Sequence, residues 1–340
     1  MAIDKEVSFS NRLLDVDTVK ESINNGDYLM IAADEKLLSQ LPAGNWIAGT
    51  IPYFMGEEGG VVTQGKLFVT KIEGITSNQP PRLTLYDSNT ISRIAQEAPE
   101  QGFSLVILPA TSEVHINYAH NAPNFPNMFF SPIIGWIAGV HLDELGKSSA
   151  KTGFGPASGQ LSEQHAVVMH VPLPEHQMAS VNTVNLFQPG SGPSITFNET
   201  GFSVGDCKID GKPANLAQYI LENKIDTCLP LVADYSGVMV NVSVQNVNEV
   251  DNKVDLYAPV FADMSYRFAE PVGDYVSAFD KAMSSADDEK VAFSCNCILN
   301  FLYSELEGKK TQDLVGPITF GEVAYQLLNQ TMVYLSVTND

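Results

Sequence analysis

The sequence predicts an α+β protein: two related lobes of mixed, largely antiparallel β-sheet flanked by helices. Three observations carry that expectation. Apolar β-branched segments outnumber helical ones and alternate with them irregularly, unlike a regular βαβ winding. The composition, 44% hydrophobic and 17% charged, suits a packed core. A Gly-Ile-aromatic-Gly-Glu pattern occurs twice, at Gly49, Ile51, Tyr53, Gly56 and Glu57 and at Gly316, Ile318, Phe320, Gly321 and Glu322. It reads as a trace of duplication.

The elements follow in chain order. The first residues to about Ser22 form an amphipathic lead-in, and Asp27–Glu35 is a buried strand or a helix start. GNWIAGTIPYF is a strand running into a Gly-Glu-rich loop. KLFVTKI and PRLTLYD are strands by alternation and β-branched content. NTISRIAQEAPEQG reads as a helix capped at Asn89 or Thr90 with Gly102 beyond its end, and FSLVILPA as a buried strand. APNFPNMFFSP is a loop, and the Gly/Ser/Ala-rich stretch from Lys147 to Glu163 is a linker or a lid. HAVVMHVPL and ASVNTVNLFQ are strands. PGSGPS (Pro189–Ser194) is the strongest boundary signal, giving lobes 1–194 and 195–340.

In the second lobe, short strands near Ile195 and Phe202 precede a hairpin turn at Asp210-Gly211, and a helix is expected from Pro213. GVMVNVSVQNV and VDLYAPVFA are strands. DYVSAFDKAMSSA places Tyr275, Val276, Phe279, Ala282 and Met283 on one helical face. KVAFSCNCIL is a strand with a helix after it to Glu307, and GPITFGEVAYQLLNQTMVYLSV closes the chain.

The charge excludes some function classes. Nineteen Lys and Arg against 40 Asp and Glu give a net charge of −21. Such a surface repels phosphate backbones and anionic lipid, so neither nucleic acid nor a membrane is an expected partner. No signal-peptide pattern opens the sequence, and FFSPIIGWIAGV is too short to span a bilayer, so a cytoplasmic location is expected. Cys207, Cys228, Cys295 and Cys297 are then free thiols.

The closing stretch resembles the C-terminal part of FIST domains, in Gly316, Gly321-Glu322, Asn329 and Thr331. CKIDGKPANLAQYI is similar to the Gly-Lys-Pro-Ala opening of that part. AFSCNCI stands where the family has a strand ending in Cys. GNWIAGTIPYFMGEEGG resembles the N-terminal FIST region more faintly. The sequence departs from the family where Asn296, Cys297 and Ile298 replace a Gly-Arg, and no signalling domain is attached. The resemblance implies a sensory module that binds a small polar metabolite, an amino acid among the candidates, and passes the signal to a protein partner.

The candidate ligand-binding residues are Tyr53, Glu57, Glu58, Asp234, Tyr266, Arg267, Cys295 and Glu322, expected along a cleft between lobes. Carboxylates there can hold an ammonium group, and a guanidinium can grip a carboxylate with two bonds. The structural alternatives are water-facing turn glutamates and an arginine paired with a surface acid. A cysteine- or carboxylate-dependent hydrolase or transferase is a second hypothesis. Its thiol would need a histidine from across the lobes, since His115, His120, His141, His165, His170 and His176 all precede Pro189. A protein-binding scaffold through NFPNMFF is a third. GFGPASG lacks the P-loop lysine, and the histidines lack ligand spacing, so neither a cofactor nor a metal is expected.

Overall fold

The computed structural model describes residues 6–157, 160–235, 237–262, 264–284 and 290–339. The chain has the expected α+β architecture, built from three units with the same plan.

The first unit comprises β1 (Ser8–Leu14), α1 (Val16–Asn24), β2 (Tyr28–Ala33), α2 (Glu35–Leu38), β3 (Trp46–Thr50), the hairpin β4 (Tyr53–Gly56) and β5 (Gly59–Val62), and β6 (Leu67–Glu73). Asp15 and Asp34 cap the two helices by accepting from Thr18 N and Lys36 N. The second comprises β7 (Arg82–Tyr86), β8 (Gly102–Pro109), α3 (Glu113–Asn121), β9 (Ile133–Ala138), the hairpin β10 (Thr152–Phe154) and β11 (Gln160–Ser162), and β12 (Ala166–Pro172).

The third opens with β13 (Gln177–Val184) and is then interrupted. The insertion holds β14 (Ile195–Phe197), β15 (Gly201–Val204), β16 (Asp206–Ile209), β17 (Lys212–Asn215), α4 (Leu216–Asn223), β18 (Leu231–Tyr235), β19 (Val238–Val242), β20 (Val244–Asn248), β21 (Lys253–Val260) and β22 (Ser265–Phe268). The unit resumes with α5 (Tyr275–Met283), β23 (Val291–Cys297), α6 (Ile298–Tyr303), β24 (Gly316–Thr319), the hairpin β25 (Glu322–Ala324) and β26 (Gln326–Leu328), and β27 (Met332–Asn339).

Each unit supplies a six-stranded sheet, in the orders β1-β6-β2-β3-β10-β11, β7-β12-β8-β9-β25-β26 and β13-β27-β23-β24-β4-β5. At the same place in each lies one parallel pair, β2–β3, β8–β9 or β23–β24, and the other pairings are antiparallel. The last two strands of each sheet are a hairpin from another unit. Unit one gives β4–β5 to the third sheet, unit two gives β10–β11 to the first, and unit three gives β25–β26 to the second.

The inner faces share one core, including Ile47, Phe54, Phe68, Phe103, Trp136, Met169, Phe293 and Leu335. The insertion packs outside unit two, its Ile195, Leu216 and Leu231 sharing a second core with Tyr86, Val114 and Tyr118.

Three local readings change. Residues 89–102 hold only a 3-10 turn at Ile91–Arg93. Its opening is drawn into a local turn by the Asp87 carboxylate, which accepts from Thr90 N and Oγ1. The helix read from Pro213 starts at Leu216 with Asn215 as its cap, and Pro213 sits in β17, an edge strand that tolerates a missing N–H. The supposed linker or lid is the β10–β11 hairpin, paired to β3, with Ser158 and Gly159 of GFGPASG outside the described residues. Pro189–Ser194 does mark a junction, the entry to the insertion. Strands from both sides of residue 194 nevertheless share the second and third sheets. The internal relation therefore runs over three units, where the sequence pointed to two lobes.

Candidate functional site

The two Gly-Glu stretches meet in the third sheet, where β24 pairs with β4 through Gly316↔Met55 and Pro317↔Phe54. Their glutamates have opposite surroundings. Glu57 and Glu58 form the exposed turn of the β4–β5 hairpin, closed by Gly56↔Gly59. Glu322 is fully buried in β25, opposite Trp136.

The hairpin turn borders a groove of about 710 Å³, within the range of small-molecule sites. Asn11, Arg12 and Leu13 of β1 form one wall, the turn forms the other, and Phe68, Val61 and Val315 add apolar surface. The hairpin is held in place from behind. Gly60 N donates to Lys309 O at 3.0 Å, and Gly308 N donates to Gly60 O at 2.8 Å. Only glycine fits at 60, because a Cβ would press on the Leu306 carbonyl oxygen and the Phe301 ring.

The side chains of Arg12, Glu57 and Glu58 are exposed, and none has a hydrogen-bond or ion-pair partner among the described residues. The chain has four arginines. Arg82 and Arg93 both bind Glu97, and Arg267 Nη1 donates to Gly192 O at 2.9 Å. Arg12 alone is uncommitted. Sequence reading passed over it. The signal was there in its scarcity and in its place on a strand without an acidic neighbour in SFSNRLL.

The remaining candidates do not gather into one cleft. Tyr53 is buried, its hydroxyl accepts from Leu142 N at 3.0 Å, and its ring stacks on His141. Tyr266, buried in the insertion, shares a 2.8 Å hydroxyl contact with Tyr235 and accepts from Phe261 N. Arg267 ties down the Pro189–Ser194 segment rather than facing a ligand. Asp234 is exposed and caps the turn to Gly237 N.

Cys295 is buried, with Sγ donating to Gly135 O at 3.4 Å. Burial, and then the nearby Glu322 carboxyl, hold both the Cys295 and Cys297 thiols well above the ordinary range. A cysteine nucleophile needs an accessible thiolate, and neither residue offers one.

Glu322 is the centre of a buried polar cluster. Its Oε2 accepts from Thr331 Oγ1 at 2.8 Å and Thr331 N at 3.3 Å, while Oε1 has no partner among the described residues. Desolvation raises its pKa to about 8, against the lowering effect of the Thr331 bonds. The carboxyl is therefore mostly protonated at neutral pH. Among the described residues, no group of three or more His, Cys, Asp or Glu is placed to hold a metal ion. No helix among them is long and apolar enough to cross a membrane.

Fold and groove together define an α+β protein of three sheets joined by exchanged hairpins, with a groove of charged rim and apolar wall bordered by one of those hairpins. The chain belongs to DUF6976, a family of unknown function that it matches over residues 14–338. No curated protein matches it. The nematode sperm cell motility protein MFP2B is similar at 10% identity, over 85% of this chain and 84% of that one, with a TM-score of 0.13. A likeness of that size carries no argument.

Proposed function

We propose that this protein binds a small polar metabolite in the groove between β1 and the β4–β5 turn. One observation carries the reading: a guanidinium and two carboxylates stand uncommitted around about 710 Å³ of groove. Arg12 suits a carboxylate of the ligand, and Glu57 and Glu58 suit an ammonium group, the two ends of an amino acid. The strap from Leu306 to Lys309 keeps one wall in place before the ligand arrives, which lowers the entropic cost of binding. The FIST resemblance belongs to this proposal and adds the sensory role, with a protein partner reading the occupied state.

The test is a thermal-shift screen with amino acids, small carboxylates, amines and nucleotides. A ligand at about 100 times its Kd stabilises by about 2.7 kcal/mol, a rise of roughly 4 °C if this chain melts as one unit. The response should vanish in Arg12→Ala and weaken in Glu58→Gln, and it should persist in Arg267→Ala. A hit that ignores Arg12 but needs Arg267 would remove the groove from the argument.

A further inference from the structure

We infer that the free edge of β13 is a self-association surface, on which a second copy of this chain extends the third sheet antiparallel across a twofold axis. β13 is the outer strand of that sheet, and its eight residues pair with β27 without a bulge. The backbone shows which of its groups point outward. Gln177 turns its N–H to Pro174 O and its C=O to Gln101 Nε2, both away from β27. Strand alternation then turns the N–H and C=O of Ala179, Val181 and Thr183 outward as well. The far side of β27 agrees. Thr331 O accepts from Cys297 N, and Val337 N donates to Lys290 O, so the odd-numbered residues of β27 face β23 and leave the even ones to bond β13.

Among the described residues, Ala179, Val181 and Thr183 have no backbone partner on the open side. Edge strands are usually blunted by Lys, Pro, a bulge or a charge. β13 has none of these, and residues 177–188 contain no Asp, Glu, Lys or Arg. In a chain of net charge −21, such a strip is where a second copy meets the least repulsion.

The outward groups also set the register. Val181 lies on the axis opposite its own copy, and Ala179 faces Thr183 of the other chain, each pair exchanging two N–H···O bonds. Such a contact is isologous and closes after two chains. Peptide capture by strand addition draws its specificity from side-chain pockets beside the strand. Here the side chains from Ala179 to Thr183 are small or medium-sized, with Met178 exposed beyond them, which favours a copy of the same strand over a foreign peptide.

Sedimentation velocity over a concentration series, with residue-resolved amide exchange, tests the inference. The expected result is a reversible dimer in which exchange at Ala179, Val181 and Thr183 slows as concentration rises, while Met178 and Ser180 do not change. Thr183→Pro removes an outward N–H and leaves the β27 bonds intact, so it should weaken association about 10- to 100-fold. Ser180→Asp, at an exposed side chain, should weaken it too, with recovery in high salt. A monomer up to about 1 mM would overturn the inference. So would a dimer in which those three amides still exchange freely, or one that Thr183→Pro and Ser180→Asp leave unchanged.

Discussion

Replacing Glu322 by Gln should remove a pH dependence of stability, so that the variant gains on the natural protein steadily as pH rises from 4.5 to 8. The folded carboxyl has a pKa of about 8, against 4.5 for the ordinary group. Below pH 4.5 both states hold the proton, and the group adds nothing to the pH dependence. Between 4.5 and 8 the unfolded chain releases its proton and the folded chain keeps it. Stability therefore falls with rising pH, by up to about 1.4 kcal/mol per unit, and levels off above 8. The full window is worth about 5 kcal/mol, and the loss at pH 7 is about 3 kcal/mol. Gln keeps an oxygen for Thr331 and cannot ionise. Its NH2 takes the place of Oε1, which has no partner, at a cost of about 1–3 kcal/mol at every pH. The pH-dependent difference between the two proteins is thus the cleaner quantity. Urea unfolding of both at several pH values between 5 and 8.5 measures it. A difference that stays constant over that range would refute the assignment of a buried, protonated Glu322.

Three further outcomes follow from the packing. Gly135→Ala forces a Cβ against the Val106 carbonyl oxygen inside the β8–β9 pair and should cost about 2–4 kcal/mol in a melting or urea assay. A native-state thiol assay with iodoacetamide should modify Cys228, the exposed cysteine, while Cys207, Cys295 and Cys297 react only after unfolding. His170 bridges Ser104 Oγ and Tyr86 Oη at 2.8 and 3.1 Å, and burial pushes its pKa down to about 4. His170→Leu should therefore destabilise by about 1–3 kcal/mol by orphaning the buried Ser104 hydroxyl, while Tyr86 Oη keeps its bond to Glu97 Oε2, measured by urea unfolding at pH 7.

The strands were the legible part of the sequence, because alternation and β-branched content mark them locally. HAVVMHVPL and KVAFSCNCIL contain β12 and β23, and FSLVILPA covers all of β8 but its first residue, Gly102. Helix α3 escaped notice because its apolar residues, Val114, Ile116 and Tyr118, are diluted by two histidines and two asparagines. The repeated Gly-Ile-aromatic-Gly-Glu pattern falls on corresponding elements, the second parallel strand and the hairpin after it, but not on corresponding positions: Gly56-Glu57 lies at the tip of one hairpin, and Gly321-Glu322 opens the other. The corresponding stretch of the second unit, residues 133 to 162, carries no Gly-Glu pair, so two units were visible instead of three. The groove was half legible. Glu57 and Glu58 announced themselves as a pair, whereas Arg12 faces them only because a hairpin crosses to a distant sheet. Glu322 looked like Glu57 in sequence, and no local signal tells a buried carboxyl from a wet one.

The exchange of hairpins also has a consequence in time. On the ribosome the turn bearing Glu57 and Glu58 emerges early, yet the strand it pairs with, β24, begins at Gly316. At about 5–20 residues per second, the hairpin waits on the order of tens of seconds with an unpaired edge. The second sheet likewise stays open until β25 and β26 arrive near the end of synthesis. No unit can mature alone, so the nascent chain should be a chaperone client until it is nearly complete. A chain truncated before Gly316 would leave the proposed binding wall without the strand that pairs with it, however intact the sequence around that wall.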